Sequence, residues 1–534
     1  MFETPSFECS WDCPYPSCRM PVLGDNMVAT SQPLAAQAGL RMLMAGGNAV
    51  DAALATAIAL TVVEPTGNGI GSDAFALVWD GGTLHGFNGS GRSPRAWSAE
   101  RFKGLDAMPQ FGWDAVTVPG AVDLWAVLSR RFGRLPFERL FEPAIGYARD
   151  GYPVAPIIAA RWSDAEARYR LIREFADIFL PEGRAPRPGE RFRSPWQAES
   201  LEAIARTGGR AFYVGELADR MIAHCRANGG VMAIEDLAGH RTAVVDPIFQ
   251  DYRNVRLHEI PPNGQGVAAL ITLGILGHFD LAAMAPDSPD SLHLQIEAMK
   301  IGFAAAHRFV ADPREMPVSV DSLLDPDLLA RQADDIRMDR AGSPVARLPH
   351  DRGTVYLAAA DAGGMMVSMI QSNFTGFGSG VVIPESGIHL QNRGWAFSLD
   401  PAHPNRVAGG KRPYHTIIPG FVTSGGRPLM SLGVMGGHMQ PQGHVQMMVR
   451  VFDHRQNPQA ACDAPRWHLD ETLGVNLEAG FPEPVRAELR RRGHRLVQGN
   501  PFWGYGGAQL IWRLPGGGYG GASDKRKDGQ AVAF

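Results

Sequence analysis

Residues 354–371 limit the choice of fold more than any other stretch of this 534-residue chain. Residues 354–360 read as a strand, Asp361-Ala362-Gly363-Gly364 as a turn, and residues 365–371 as a returning strand, which together make a hairpin. A second such unit has a strand over 74–79, a turn at Gly81-Gly82 and another short strand. Further strands are expected at 417–423, 506–513 and 518–522, with a loop over the Pro- and Gly-punctuated residues 400–413. Helices fall between them. Residues 32–44 carry Ala36, Leu40 and Leu43 at helical spacing and stop at Gly46-Gly47-Asn48. Residues 49–63 form a second helix closed by Pro65, residues 164–179 a third, and residues 288–309 a fourth with Leu292, Ile296, Met299 and Phe303 on one side. Helices mixed with hairpins, without regular βαβ alternation, give an α+β class. There is no internal repeat and no low-complexity segment.

Composition excludes several functions. The length alone allows roughly two to four domains. With 45% hydrophobic and 20% charged residues the chain is of the ordinary globular type. A net charge of −4 gives no electrostatic case for nucleic acid or an anionic membrane surface. The longest apolar run, 52–63 between Asp51 and Glu64, is too short to span a bilayer. Residues 1–19 lack the apolar core of a secretory signal, so a cytoplasmic location is expected. Cys9, Cys13 and Cys18 cluster but have no fourth ligand nearby, and with Cys225 and Cys462 they read as reduced thiols. No metal or organic cofactor is expected. The oligomeric state is open, a homo-oligomer included.

The chemistry concentrates at Asp351-Arg352-Gly353-Thr354-Val355-Tyr356-Leu357. A threonine opening a strand is unremarkable in itself. Glycine before it, however, removes side-chain bulk at the preceding peptide bond. Attack of the Thr354 hydroxyl on the Gly353 carbonyl would give an ester that water then hydrolyses. The freed α-amine, with an ordinary pKa of about 7.7–8.0, is a base on the same residue as the hydroxyl nucleophile. The Gly353–Thr354 bond is thus a candidate self-cleavage site. Ser372 and Asn373, at the end of the returning strand, lie across the hairpin from Thr354. They read equally as groups that orient the new amine or as strand-end polar residues.

Motifs along the whole chain carry a resemblance. They are Ala45-Gly46-Gly47-Asn48-Ala49-Val50-Asp51-Ala52, Val118-Pro119-Gly120, Glu297-Ala298-Met299-Lys300 and Ala311-Asp312-Pro313 in the first part. Gly353-Thr354, Phe377-Gly378-Ser379-Gly380, Glu385-Ser386-Gly387, Lys411-Arg412-Pro413 and Met435-Gly436-Gly437 follow in order. Each is weak alone, but the series resembles the gamma-glutamyltransferase family of N-terminal-nucleophile (Ntn) hydrolases, in its bacterial cytosolic-type branch. The resemblance implies a four-layer αββα sandwich, self-cleaved into a large subunit, residues 1–353, and a small one, residues 354–534, entwined as one structural unit. It implies Thr354 as nucleophile, and Gly436 and Gly437 as backbone donors to the oxyanion, worth about 3–4 kcal/mol in the transition state. It also implies a small-molecule amide substrate, gamma-glutamyl amides such as glutathione above all, with water or an amine as acyl acceptor.

The substrate-binding motifs depart from the family. Where its members carry an Arg for the substrate α-carboxylate, this chain has Ser90, within Phe87-Asn88-Gly89-Ser90-Gly91-Arg92. Arg92 reads equally as a displaced anion holder or as a surface arginine. Where the family has an Asp for the substrate ammonium, this chain has Ala396, in Asn392-Arg393-Gly394-Trp395-Ala396-Phe397-Ser398. His415-Thr416 replaces a Ser-Ser pair, and Arg393 adds a cation. His415 either contacts substrate or packs, and His438 is equally open. Losing an anion and gaining Arg393 points to a carboxylate without an adjacent ammonium. The alternatives are therefore an amidohydrolase of another carboxylate-bearing amide, of oxamate or glutaryl type, and a non-catalytic relative that binds a small anion.

Overall fold

The computed structural model describes residues 18–343, 353–499 and 504–534. Asp351, Arg352, Cys9 and Cys13 lie outside the described residues. The hairpin is present as Val355–Ala360 and Met366–Ser372, paired from Val355 opposite Gln371 to Ala360 opposite Met366. It forms the middle of a seven-stranded antiparallel sheet whose order is Gln530–Ala533, Met27–Thr30, Val355–Ala360, Met366–Ser372, Asp73–Trp79, Leu84–Asn88 and Ala243–Val245. Strands from before and after Thr354 are therefore neighbours in one sheet. A second seven-stranded antiparallel sheet runs Val22–Gly24, Tyr519–Ser523, Gly507–Arg513, Arg427–Met435, Gly420–Ser424, Val255–Glu259 and Ile248–Tyr252.

Side-chain alternation along each strand assigns the layers. Val355, Leu357 and Ala359 join an outer core with the helices Pro33–Met44 and Ala49–Val63. Tyr356, Ala358 and Ala360 point the other way, into a core shared with Phe421, Met435 and Ile511 of the second sheet. Met430, Leu432 and Val434 of that sheet face a third core with Gly266–Leu276, Pro289–Phe309 and Met439–Met448. The order is helix, sheet, sheet, helix: a four-layer αββα sandwich. Both strands of the hairpin are buried on both faces, which is why they read as near-continuous apolar runs.

The helix Ala49–Val63 is buried at every residue, so its sequence carries no polar face. Its start is set by a capping box, with the Asn48 side chain accepting from Val50 and Asp51 and the Asp51 carboxylate accepting from Asn48 N. Among the described residues no helix is long and apolar enough to cross a membrane. Two expected elements need correction. The single helix over 164–179 is two helices, Pro156–Tyr169 and Arg173–Phe179. Pro156 starts the first, and extended backbone at Ile172 separates them, which lets the Tyr169 hydroxyl reach the carbonyls of Gly376 and Gly378 at 2.6 and 3.0 Å. The strand expected at 417–423 begins only at Gly420, because Ile418 N is taken by the Gln440 side chain at 2.9 Å.

The sheets approach closely where Gly433 meets Tyr356: a Cβ on Gly433 would lie 2.2 Å from the tyrosine ring. Tyr356 in turn bonds Ser368 through its hydroxyl at 2.8 Å, across the hairpin. Gly433→Val should therefore force the sheets apart and destabilise the chain by about 1–3 kcal/mol, read as a lower midpoint in denaturant unfolding.

Candidate active site

Strand order places the chemistry. Gly353-Thr354 enters the central hairpin at one end, and Ser372-Asn373 leaves it on the neighbouring strand at the same end. Thr354 is 1% exposed. Its Oγ1 is 2.7 Å from the Gly353 carbonyl oxygen and 3.1 Å from Ser372 Oγ. Ser372 Oγ is itself 2.6 Å from that carbonyl oxygen and accepts the Phe374 N–H at 2.8 Å. Each hydroxyl has one proton. Two protons cannot fill all three contacts among Thr354 Oγ1, Ser372 Oγ and the carbonyl oxygen; with Thr354 donating to Ser372 and Ser372 donating to the Gly353 carbonyl, two of them are hydrogen bonds. Glycine is required at 353: φ is +148°, and a Cβ would sit 2.8 Å from Gly376 N and Thr375 C.

From Thr354 a chain of contacts leads through most of the residues expected from the sequence. Phe374, held by Ser372, has its ring 4.6 Å from the Arg393 guanidinium carbon. Arg393 is fully buried and its Nη1 donates to Thr416 Oγ1 at 2.8 Å. The Thr416 carbonyl accepts from Gln265 Nε2 at 2.6 Å, and the same Nε2 reaches the Gly437 carbonyl at 2.9 Å. Gly436 and Gly437 have φ of +113° and +58° and form the link from the strand Arg427–Met435 to the helix Met439–Met448. Among the described residues no backbone hydrogen bond uses the N–H of either glycine. Those donors lie at a helix N-terminus, where the dipole favours negative charge.

Asn373 bonds Ser72 Oγ through Oδ1 at 2.7 Å, and its buried Nδ2 has no partner among the described residues. His415 is buried and its Nδ1 accepts from Ile417 N at 3.4 Å, so its Nε2 carries the proton and donates to Asp73 Oδ2 at 3.1 Å. Burial, with the nearby charges of Arg393 and Arg412, holds His415 well below the ordinary histidine range, so this contact is a hydrogen bond from a neutral ring. His438 is likewise held neutral by burial, with Nδ1 3.1 Å from Gln265 Oε1. Arg92 stands outside this chain of contacts. Its Nη1 donates to Asp312 at 2.8 Å and to the Gly410 carbonyl at 3.2 Å. Ser90 is buried and bonds Asn88 Oδ1 at 2.7 Å.

Two residues here escaped the sequence reading. Gln265, which ties Thr416 to Gly437, carried no signal beyond an amide among glycines. Asp73 did carry one, since it is an acid opening an otherwise apolar strand. Its Oδ1 accepts from Gly120 N at 3.1 Å and Gly91 N at 3.3 Å. Burial pushes its pKa up to about 7, against the pull of Arg393 and of those N–H donors. One further cluster gathers metal-type ligands: His293, Glu297 and His494 have ligand atoms within 4.8 Å of one another. The Lys300 ammonium lies 2.7 Å from Glu297 Oε1, and Gly342 N donates to Glu297 Oε2 at 2.7 Å, so this carboxylate is already used by an ion pair and a backbone bond. Of the cysteines, Cys18 is exposed and Cys225 and Cys462 are buried free thiols.

The elevated Asp73 pKa has a consequence for stability. The folded chain keeps this proton up to about pH 7, whereas an unfolded chain releases it near the ordinary value of 3.8. The stabilisation from protonation is therefore full below about pH 3.8 and is lost as pH rises through 7. In a Thr354→Ala background, Asp73→Asn should gain Tm relative to its parent as pH rises across that window, measured by calorimetry. A constant offset would remove Asp73 as the titrating group.

Comparison with known proteins agrees with this geometry. The family model described as Gamma-glutamyltranspeptidase matches residues 35–534. The "Glutathione hydrolase-like YwrD proenzyme" of Bacillus subtilis is 38% identical over 520 residues, covering 95% of this chain and 98% of that protein. The "Oxamate amidohydrolase proenzyme" of Klebsiella pneumoniae is 36% identical, over 95% of this chain and 98% of that one. Among solved structures, the cephalosporin acylase from Bacillus halodurans superposes with a TM-score of 0.94 at 48% identity, covering 99% of both chains. With a matching family model over almost its whole length and the αββα sandwich around a buried Gly353-Thr354 step, the chain belongs to the gamma-glutamyltranspeptidase family.

Proposed function

We propose that the chain is a self-processing amidohydrolase and acyltransferase whose nucleophile is Thr354. The observation that carries this reading is the Gly353 carbonyl oxygen, with Thr354 Oγ1 2.7 Å and Ser372 Oγ 2.6 Å away. In self-cleavage the Thr354 oxygen bonds to the Gly353 carbonyl carbon, and Ser372 donates to the carbonyl oxygen as charge builds on it. The C–N bond breaks, the Thr354 nitrogen takes the proton, and water hydrolyses the ester. Residues 1–353 then end in a carboxylate, and residues 354–534 begin with a free amine. That amine removes the hydroxyl proton when Thr354 attacks a substrate amide and returns it to the leaving amine. The N–H groups of Gly436 and Gly437 stabilise the oxyanion, and water or an amine takes the acyl group from Thr354.

Arg393 sets the acyl group. A buried guanidinium stacked on Phe374 and bonded to Thr416 is a fork for a carboxylate, and desolvation strengthens that recognition. The substrate is an amide whose acyl part carries a carboxylate, and gamma-glutamyl amides such as glutathione are one such class. Ala396 in place of an acid favours acyl groups of oxamate or glutaryl type, without an ammonium beside the carboxylate. Curated relatives include both a glutathione hydrolase-like and an oxamate amidohydrolase proenzyme, which keeps both classes in the test.

The test is a panel of glutaryl-p-nitroanilide, gamma-glutamyl-p-nitroanilide and oxamate, with acid-quenched samples analysed by mass. An acyl adduct on the fragment that begins at Thr354 is expected with the preferred substrate. No turnover and no adduct across the panel would favour the anion-binding relative. Arg393→Lys keeps the charge but loses the fork, so kcat/KM should fall by about 10–100-fold while self-cleavage persists. Ser372→Ala should slow the appearance of the fragments by about 10–100-fold, followed by electrophoresis over time.

A further inference from the structure

A cavity of about 290 Å³ opens beside the site and is lined by four arginines, Arg92, Arg95, Arg241 and Arg412, with Asp236 the one acid among its lining residues. The acids near these cations are already engaged by other donors, with Asp123 accepting the N–H of lining residue Thr242 at 2.7 Å. Asp312 is shared between Arg92 and Arg314, each at 2.8 Å, and also accepts Arg412 N at 2.9 Å. Asp236 is held by backbone N–H groups of Arg95 and Ala233 at 3.2 and 3.0 Å, with the Arg95 side chain 3.7 Å off. Arg241 donates to the carbonyls of Ala238 and His240, and Arg412 to those of Ser90 and Arg241. Among the described residues, two guanidinium groups thus hydrogen-bond only backbone carbonyls. Burial and the charge of Arg92 lower Arg412 to about 10, against the pull of Asp312 and Asp73.

His240 adds a buried group to the wall. It is 6% exposed, its ring lies parallel to Tyr213 at 5.6 Å, and its Nε2 has no hydrogen-bond partner among the described residues. The cavity is distinct from the Thr354 contacts, since none of Thr354, Ser372, Phe374, Arg393, Gln265 and Gly437 lines it. It adjoins them through Asp73, whose Oδ1 is bonded by Gly91 and Gly120, next to lining residues Arg92 and Val118.

We propose that this cavity is a second anion site that binds a small organic anion with two or more negative charges, carboxylate or phosphoryl. Guanidinium forks match both groups in a bidentate manner, and the cavity has room for a molecule of citrate or pyrophosphate size. The site acts independently of amide cleavage, so it is tested in the uncut Thr354→Ala chain. Isothermal titration with citrate and with pyrophosphate, against sodium chloride at matched ionic strength, should give saturable binding of at least one anion. The tighter of the two assigns the site to carboxylate or phosphoryl ligands. The double variant Arg95→Ala/Arg241→Ala changes two exposed side chains and should weaken binding by about tenfold or more. Arg490→Ala, on a remote exposed helix position, should leave binding unchanged. Absence of saturable binding by either anion overturns the proposal. So does binding that the double variant leaves intact, or that Arg490→Ala weakens equally. A chain that binds citrate yet never self-cleaves keeps this site and removes the Thr354 reading, so the two fail separately.

Discussion

The Ser372 hydroxyl lies between the Gly353 carbonyl and the Thr354 hydroxyl, and much of the fold serves to keep it there. Ser372 ends a strand that is paired on both sides, with Val355–Ala360 and with Asp73–Trp79. Its Oγ is pinned from behind by Phe374 N. The partner strand is equally constrained, because Thr30 Oγ1 holds the Tyr356 carbonyl at 2.9 Å and Tyr356 abuts Gly433 of the other sheet. A hairpin buried between two layers has little freedom to move its end, so reacting atoms held there are oriented before any bond changes. The glycine at 353 has the same purpose, since a side chain there would not fit against Thr375 and Gly376 where the two segments cross.

Electrostatics in the same region follow from burial. Arg393, Asp73, His415 and His438 are all shielded from water. In so dry a place a charge needs a partner, or the group gives up its charge. The histidines become neutral, and Asp73 holds its proton to about pH 7. Arginine cannot discharge itself in this way. It is stacked on Phe374 and bonded to Thr416, and a substrate carboxylate brought beside it would meet a preformed cation in a weakly screening medium. This is the physical basis for the proposed substrate choice at Arg393, which lies on the path of contacts from Thr354, as Arg92 does not.

Much of this was legible from the sequence, for identifiable reasons. The hairpin announced itself by apolar runs flanking Asp361-Ala362-Gly363-Gly364, and the helix Ala49–Val63 by its apolar run between the Gly46-Gly47-Asn48 break and Pro65. The two-sheet sandwich came from the resemblance alone, and the strand order within each sheet was not legible, because neighbours lie hundreds of residues apart: Met27–Thr30 pairs with both Val355–Ala360 and Gln530–Ala533. The break after Tyr169 was hidden for a similar reason, as it exists to reach the loop at Gly376 and Gly378. Within the site, Thr354, Arg393 and Thr416 were marked by position in motifs, and Ser372 by its place at the end of the returning strand. Gln265 and Asp73 were not, since their roles come from what they touch across the fold.

The proposed function stands or falls with cleavage of the Gly353–Thr354 bond by Thr354 itself. The decisive experiment is intact mass of the purified chain after incubation, wild type beside Thr354→Ala. Two wild-type fragments that meet between Gly353 and Thr354 are expected, and one uncut chain in the variant. A wild-type chain that stays whole, or is cut at another bond, or a variant cut like the wild type, would contradict it.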